Sequence, residues 1–188
     1  MMNTLEYLLK KYPNKSWEWE CISQNPNITM KIIEKNPNKS WDWRWGMSNN
    51  PNLTIEFIKK NLDKRWDWGD VSSNPNITME MIETYMDLSE CWKWDWTFVS
   101  CNPNITLEFI KKFPNKPWDW SCIVTCINLK DLKEIIDNYT DKNWSWRNIS
   151  YNEHITIDFI KKHMDKDWDW ELGLSSNPNI TIDFIENN

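Results

Sequence analysis

The groups in this chain that could carry covalent or metal chemistry are few: two histidines, five cysteines and a recurring acidic residue. His154 and His163 have no nucleophile or second ligand at a useful spacing. Cys21, Cys91, Cys101, Cys122 and Cys126 include no Cys-x-x-Cys pair and no neighbouring His at zinc-site spacing, although Cys122 and Cys126 are four apart, a spacing that would put them on one face of a helix. They are therefore expected to be reduced and mostly buried thiols. Three glycines (Gly46, Gly69, Gly173) supply no phosphate-cradling loop. No enzyme, no cofactor and no metal is expected. The residue that remains is Trp, present sixteen times.

Fourteen of the sixteen form periodic Trp-x-Trp pairs: Trp17/Trp19, Trp41/Trp43, Trp66/Trp68, Trp94/Trp96, Trp118/Trp120, Trp144/Trp146 and Trp168/Trp170. Successive first Trps are 24, 25, 28, 24, 26 and 24 residues apart. Asn-Pro-Asn-(Ile/Leu)-Thr alternates with the pairs at Asn25–Thr29, Asn50–Thr54, Asn74–Thr78, Asn102–Thr106 and Asn177–Thr181, and a decayed copy runs Asn152–Thr156. A fixed period of this length marks a repeat architecture. The chain contains about seven and a half copies of about 25 residues, without a linker, which reads as one elongated domain over residues 1–188.

Each motif opens a helix. Thr is an N-cap. With Thr54 as cap, Leu53 and Ile58 form a hydrophobic staple, as do Ile28/Ile33, Ile77/Ile82, Ile105/Ile110, Ile155/Ile160 and Ile180/Ile185. Acidic residues two after the Thr and Lys pairs at the far end suit the helix dipole, and Pro13, Pro37 and Pro114 stop the helix. This predicts a helix of about nine residues. Between the paired Trps stands Asp42, Asp67, Asp95, Asp119, Asp169, Ser145 or Glu18, again a capping position. The staple partners five after the first Trp are Ile22, Val71, Val99, Ile123 and Ile149. The second and seventh copies carry one extra residue, with Gly46 and Gly173 there and Met47 and Leu174 one later. This second helix has about two turns and a partly 3₁₀ character. In the sixth copy Cys126–Asp131 replaces the Asn-Pro-Asn-Ile-Thr motif, and Asp131 is the candidate cap. The fold class expected is all-α, a solenoid of short helix pairs. Such helices are marginal alone and need neighbours.

Burying a Trp removes about 200 Å² from water, about 5 kcal/mol gross at ~25 cal/mol per Å². The periodic Trps are therefore read as core rather than as a ladder of exposed rings for sugars or single-stranded nucleic acid. Capping accounts for the acidic column better than cation binding does. The Lys column two before the first Trp in six of the seven pairs (Lys15, Lys39, Lys64, Lys116, Lys142, Lys166) is read as a solvated edge paired with nearby Asp rather than a phosphate row. Asn-x-Thr sequons are by-products of the turn motif. The repeat breaks at Trp45 and at Trp92 with Lys93, the latter within Leu88–Lys93, the insertion behind the 28-residue step. Insertions in repeats often map to a binding face, and an exposed Trp anchors protein interfaces. Trp45, Trp92 and Lys93 are the candidate partner-binding residues, with gap-filling the alternative for both rings.

A net charge of −6 makes nucleic acid an improbable partner. No apolar run reaches membrane-span length. The start lacks the basic-then-apolar order of a secretory leader, so a cytoplasmic location is expected.

Asn102-Pro103-Asn104-Ile105-Thr106 alternating with Asn115-Lys116-Pro117-Trp118-Asp119-Trp120 resembles a tandem-repeat family of amoeba-infecting giant DNA viruses and their virophages. The likeness covers essentially the whole chain. Abundant Asn, Lys and Ile without Ala agrees with an AT-rich genome, against which sixteen Trps stand out. The resemblance implies a helical repeat protein made in the cytoplasm of an infected host cell, with virion association open, and it carries over no functional residue. The expected role is a non-enzymatic scaffold for an unidentified protein partner. The alternative is an aromatic-ladder binder of carbohydrate or single-stranded nucleic acid. Apolar residues at both ends, Tyr7–Leu9 and Phe184–Ile185, make end-to-end homo-oligomers a further expectation.

Overall fold

A computed structural model describes residues 4–88, 90–142 and 144–186. Residues 1–3, where the leader reading begins, lie outside the described residues, as do Ser89 of the insertion, residue 143 and residues 187–188. The fold is an all-α repeat solenoid, with no strand among the described residues. The chain forms two compact units, 1–104 and 105–188.

Unit 1 alternates Thr-capped helices (Met30–Lys35, Ile55–Lys60, Met79–Tyr85) with Trp-led helices (Trp19–Ser23, Trp43–Met47, Trp68–Ser73, Trp96–Val99), after an opening helix Thr4–Lys11. Unit 2 repeats the alternation with Leu107–Lys112, Trp120–Cys126, Leu129–Asn138, Trp146–Ile149, Ile157–Lys162, the 3₁₀ turn Leu174–Ser176 and Ile182–Glu186. The caps sit where the sequence places them. Thr54, Thr78, Thr106 and Thr156 accept from the amide three residues on. Asp42, Asp67, Asp95, Asp119 and Ser145 cap the Trp-led helices. Glu18 and Thr29 make no side-chain cap bond. In the sixth copy the cap is Asn128, not Asp131: Asn128 Oδ1 accepts from the Asp131 amide.

Most Thr-capped helices span six residues rather than nine. The reason is at their C-caps. Asn36, Asn61, Phe113 and His163 leave helical space, with φ of −130°, −132°, −125° and −126°. Their carbonyls are taken by the first Trp of the next pair. Trp41, Trp66, Trp118 and Trp168 each donate Nε1–H to the carbonyl five residues earlier, at 2.9, 2.8, 2.9 and 2.8 Å. Trp17 does the same to Tyr12. The apolar ring is buried while its N–H closes the helix end, a combination that Phe or Leu cannot supply.

Two polar rows hold successive repeats together. A buried Ser stands at or just past the end of most Trp-led helices (Ser23, Ser48, Ser72, Ser100, Ser150), with Val124 in its place in Trp120–Cys126. Ser23 Oγ donates to the Trp19 carbonyl (2.8 Å) and accepts from the Asp42 amide (3.0 Å). Ser48 links Trp43 to Asp67, and in unit 2 Ser150 links Trp146 to Asp169, in the same way. The first Asn of the Asn-Pro-Asn position is also buried from the second copy on (Asn50, Asn74, Asn102, Asn152, Asn177), while Asn25 is half-buried. In unit 1 Asn102 Oδ1 accepts from the Asn104 amide, and its Nδ2 donates to the carbonyls of Ser72, Asn74 and Ile77 at 2.8, 3.1 and 3.0 Å. In unit 2 Asn152 Nδ2 reaches Val124 and Ile127. The second Asn repeats the reach: Asn52 to Pro26 and Ile28, Asn179 to Glu153 and Ile155. Buried backbone carbonyls must be paired, and here the previous repeat's are paired by asparagine. The sequon nitrogens of Asn52, Asn76, Asn104 and Asn179 are engaged in this way.

Candidate interaction surface

The paired rings differ in depth. First-position Trp41, Trp66, Trp94, Trp118 and Trp168 are buried, while second-position Trp19, Trp43, Trp68, Trp120 and Trp146 are half-buried. Each second ring meets the next repeat's first ring edge-on, at 5.0 Å (Trp19/Trp41), 5.5 Å (Trp43/Trp66) and 5.5 Å (Trp68/Trp94) in unit 1. In unit 2 the separations are 5.7 Å (Trp120/Trp144) and 5.1 Å (Trp146/Trp168). The Lys column lies over these rings: Lys39 over Trp19, Lys64 over Trp43, Lys142 over Trp120 and Lys166 over Trp146, at 5.0–6.0 Å. Lys64, Lys142 and Lys166 also pair with the preceding Asp. The column is thus a solvated edge, and its lysines in addition cover indole faces.

Trp92 stands two before Trp94, at the column position. It replaces the lysine and packs on Trp68 at 5.6 Å, stacked between Tyr85 (4.6 Å) and Trp94 (5.6 Å). It is buried, so the ring expected as a surface anchor is the ring that fills the lattice. Lys93 beside it is exposed. Counting back from Trp94 would have found this role.

Trp45 is 58% exposed. The extra residue of the second copy makes Trp43–Met47 a π turn: the Met47 amide donates to Asp42 across five residues at 2.8 Å. Asp42 caps three amides at once, those of Arg44, Trp45 and Gly46. The wider ring keeps Met47 and Ser48 in register and turns Trp45 outward. The Arg44 guanidinium lies 4.7 Å above its ring. An open cleft of about 500 Å³ beside it is lined by Trp43, Arg44, Trp45, Lys64 and Arg65 with Glu20 and Asp63. On its other side lies Asp70, whose carboxyl is pushed above the usual range by burial and, secondarily, by the charge of Asp67. Two of the chain's three arginines line this one cleft.

Unit 2 builds the same turn. The Leu174 amide reaches Asp169 at 2.8 Å, and Leu172, placed like Trp45, is 63% exposed. Both turns need glycine. A Cβ on Gly46 would lie 2.5 Å from Cβ of Ser23, and one on Gly173 would lie 2.5 Å from Cβ of Ser150.

Cys21 and Cys91 are exposed thiols and Cys126 is a half-buried one, which corrects the expectation that the cysteines are mostly buried. His163 packs on Phe159 and Trp146, and burial lowers its basicity. Among the described residues no group of His, Cys, Asp and Glu could hold a metal ion, and no helix is long and apolar enough to cross a membrane. No family model, curated protein or solved structure matches the chain.

Proposed function

We propose that this chain is a non-enzymatic scaffold for protein–protein interaction, with Trp45 as the anchor of its binding surface. The observation that carries the reading is the contrast between Trp45 and the buried or half-buried rings of the repeat. A large apolar side chain is held out on a capped turn between arginines, the residue types that dominate protein interfaces. Nearly all other rings are engaged by neighbouring repeats, which leaves little open face for a ladder of sugars or bases. The viral-repeat resemblance supports action in the cytoplasm of an infected cell.

The test is capture of a binding protein from nuclease-treated infected-cell lysate, followed by calorimetry with that protein purified. Trp45→Ala is expected to weaken its binding at least tenfold, and Trp45→Phe less. Equal affinity for wild type and Trp45→Ala, or binding only to oligosaccharide or oligonucleotide, overturns the proposal.

A further inference from the structure

Trp45 does not stand out alone. Trp45, Asp70 and Phe98 occupy the same place in three consecutive Trp-led helices of unit 1, three residues after the caps Asp42, Asp67 and Asp95. In each helix the amide at this place donates to the cap carboxylate, at 3.0, 3.3 and 3.4 Å. The cap fixes the backbone and leaves the choice of side chain open: the other copies put Cys21, Cys122, Asn148 and Leu172 here, with no common size or polarity. Phe98 is 43% exposed, and its ring lies beside Gly69, where an added Cβ would be 3.2 Å from it. Trp45 and Asp70 line one open cleft of about 390 Å³. The line therefore reads aromatic, acid, aromatic.

The acid is the group in need of a partner. The Asp70 carboxyl is half-buried and takes no hydrogen bond or ion pair among the described residues. Burial, and then the charge of Asp67, disfavour its ionised form. Arg44 does not serve it: its guanidinium lies over the Trp45 ring, and its Nε is 3.6 Å from Asp67. Lys64 and Arg65 line the cleft on the other side of Trp45. We infer that the partner lays a segment along this line, carrying a Lys or Arg between two apolar side chains, with the cation on Asp70 and the apolar groups on Trp45 and Phe98. The inference rests on Trp45 as the anchor and adds the charge and order of what it binds. A carboxylate that burial makes costly to hold alone gains from a charge-assisted hydrogen bond. A cation held between indole and phenyl rings gains from their faces as well. The chain's net charge of −6 draws a basic segment in.

The probe is a library of random peptides displayed on phage and selected on the full chain. Selected sequences are then titrated as synthetic peptides, with circular dichroism to verify that each variant is folded. Peptides selected on wild type are expected to carry Lys or Arg flanked by apolar residues. Asp70→Asn should weaken them about fivefold and Asp70→Lys about tenfold or more. Replacing the peptide's basic residue with Glu should restore binding to Asp70→Lys and weaken binding to wild type. Phe98→Ala, like Trp45→Ala, should weaken the peptides without removing their preference for a basic residue. Peptides that require Trp45 but tolerate Asp70→Asn and Asp70→Lys, or that carry an acid in place of the base, would overturn this inference and leave the anchor reading standing. Peptides that bind Trp45→Ala as tightly as wild type would overturn both. A selection that yields no peptide bound by wild type overturns the inference alone, since the anchor reading is judged on the captured protein.

Discussion

Extra residues enter unit 1 in two ways. In the second copy one residue lies inside a helix, between Asp42 and Met47, and the hydrogen-bonded ring widens to hold it. Before the fourth copy the added residues lie between helices, around Leu88–Lys93. The helical addition expels a tryptophan, and the loop addition draws one in. What decides is the partner across the repeat. Trp45 has none, because Met47 and Ser48 already hold the inward positions of its turn. Trp92 lands opposite Trp68, where other copies place a lysine on an indole. Departure from the period is therefore a poor guide to exposure; the column position a residue lands in is a better one.

The comparison is broken most forcefully at Trp92. Trp92→Ala empties a three-ring stack and is expected to cost about 3–5 kcal/mol, measured by chemical denaturation. Trp92→Lys restores the column residue and should recover part of that loss. Gly46→Ala comes next, at about 1–3 kcal/mol, because the added methyl meets Ser23 Cβ and backbone. Gly69→Ala in the neighbouring α turn should fall within about 1 kcal/mol of wild type, since helix propensity favours it and the exposed Phe98 ring can yield. Deleting Trp45 turns Asp42–Ser48 into the regular spacing of Asp67–Ser72 and is expected to cost less than Gly46→Ala; a larger loss would show that the π turn itself is required. A smaller effect lies at His163. Its folded pKa is lowered, so the unfolded chain binds the proton more readily. The stability it contributes is complete above the ordinary histidine range and falls as pH drops toward the folded value. Thermal melts from pH 7 to 5 should show a decline that His163→Phe reduces. The smallest effect is expected for Trp45→Ala, within about 0.5 kcal/mol, as suits a ring held in solvent.

Helix starts were the most legible part of the sequence, because a cap and its staple partners are local. Thr54 with Leu53 and Ile58, and Asp67 with Val71, could be read by counting. Helix ends were less so. The nine-residue estimate counted to the proline and missed that an indole N–H would close the helix earlier, as Trp66 does at Asn61. The Ser and Asn rows recur visibly, yet their partners are backbone carbonyls and amides one repeat away. Any side chain can stand there, so no pairing pattern appears in the sequence. For the candidate surface, the irregular residues were visible, but which of Trp45 and Trp92 faces solvent depended on the register of the neighbouring repeat.

The asparagine row has a kinetic consequence. Asn52, Asn102, Asn152 and Asn179 each tie residues 24–30 apart, and no bond of the row waits for a more distant segment. Every step of assembly closes a loop of nearly the same modest length, so the entropic cost hardly changes from one repeat to the next. Within a unit, a formed repeat offers its carbonyls as a template to either neighbour. Folding can then begin at several places and spread by zippering, at the rapid rates of chains with low contact order.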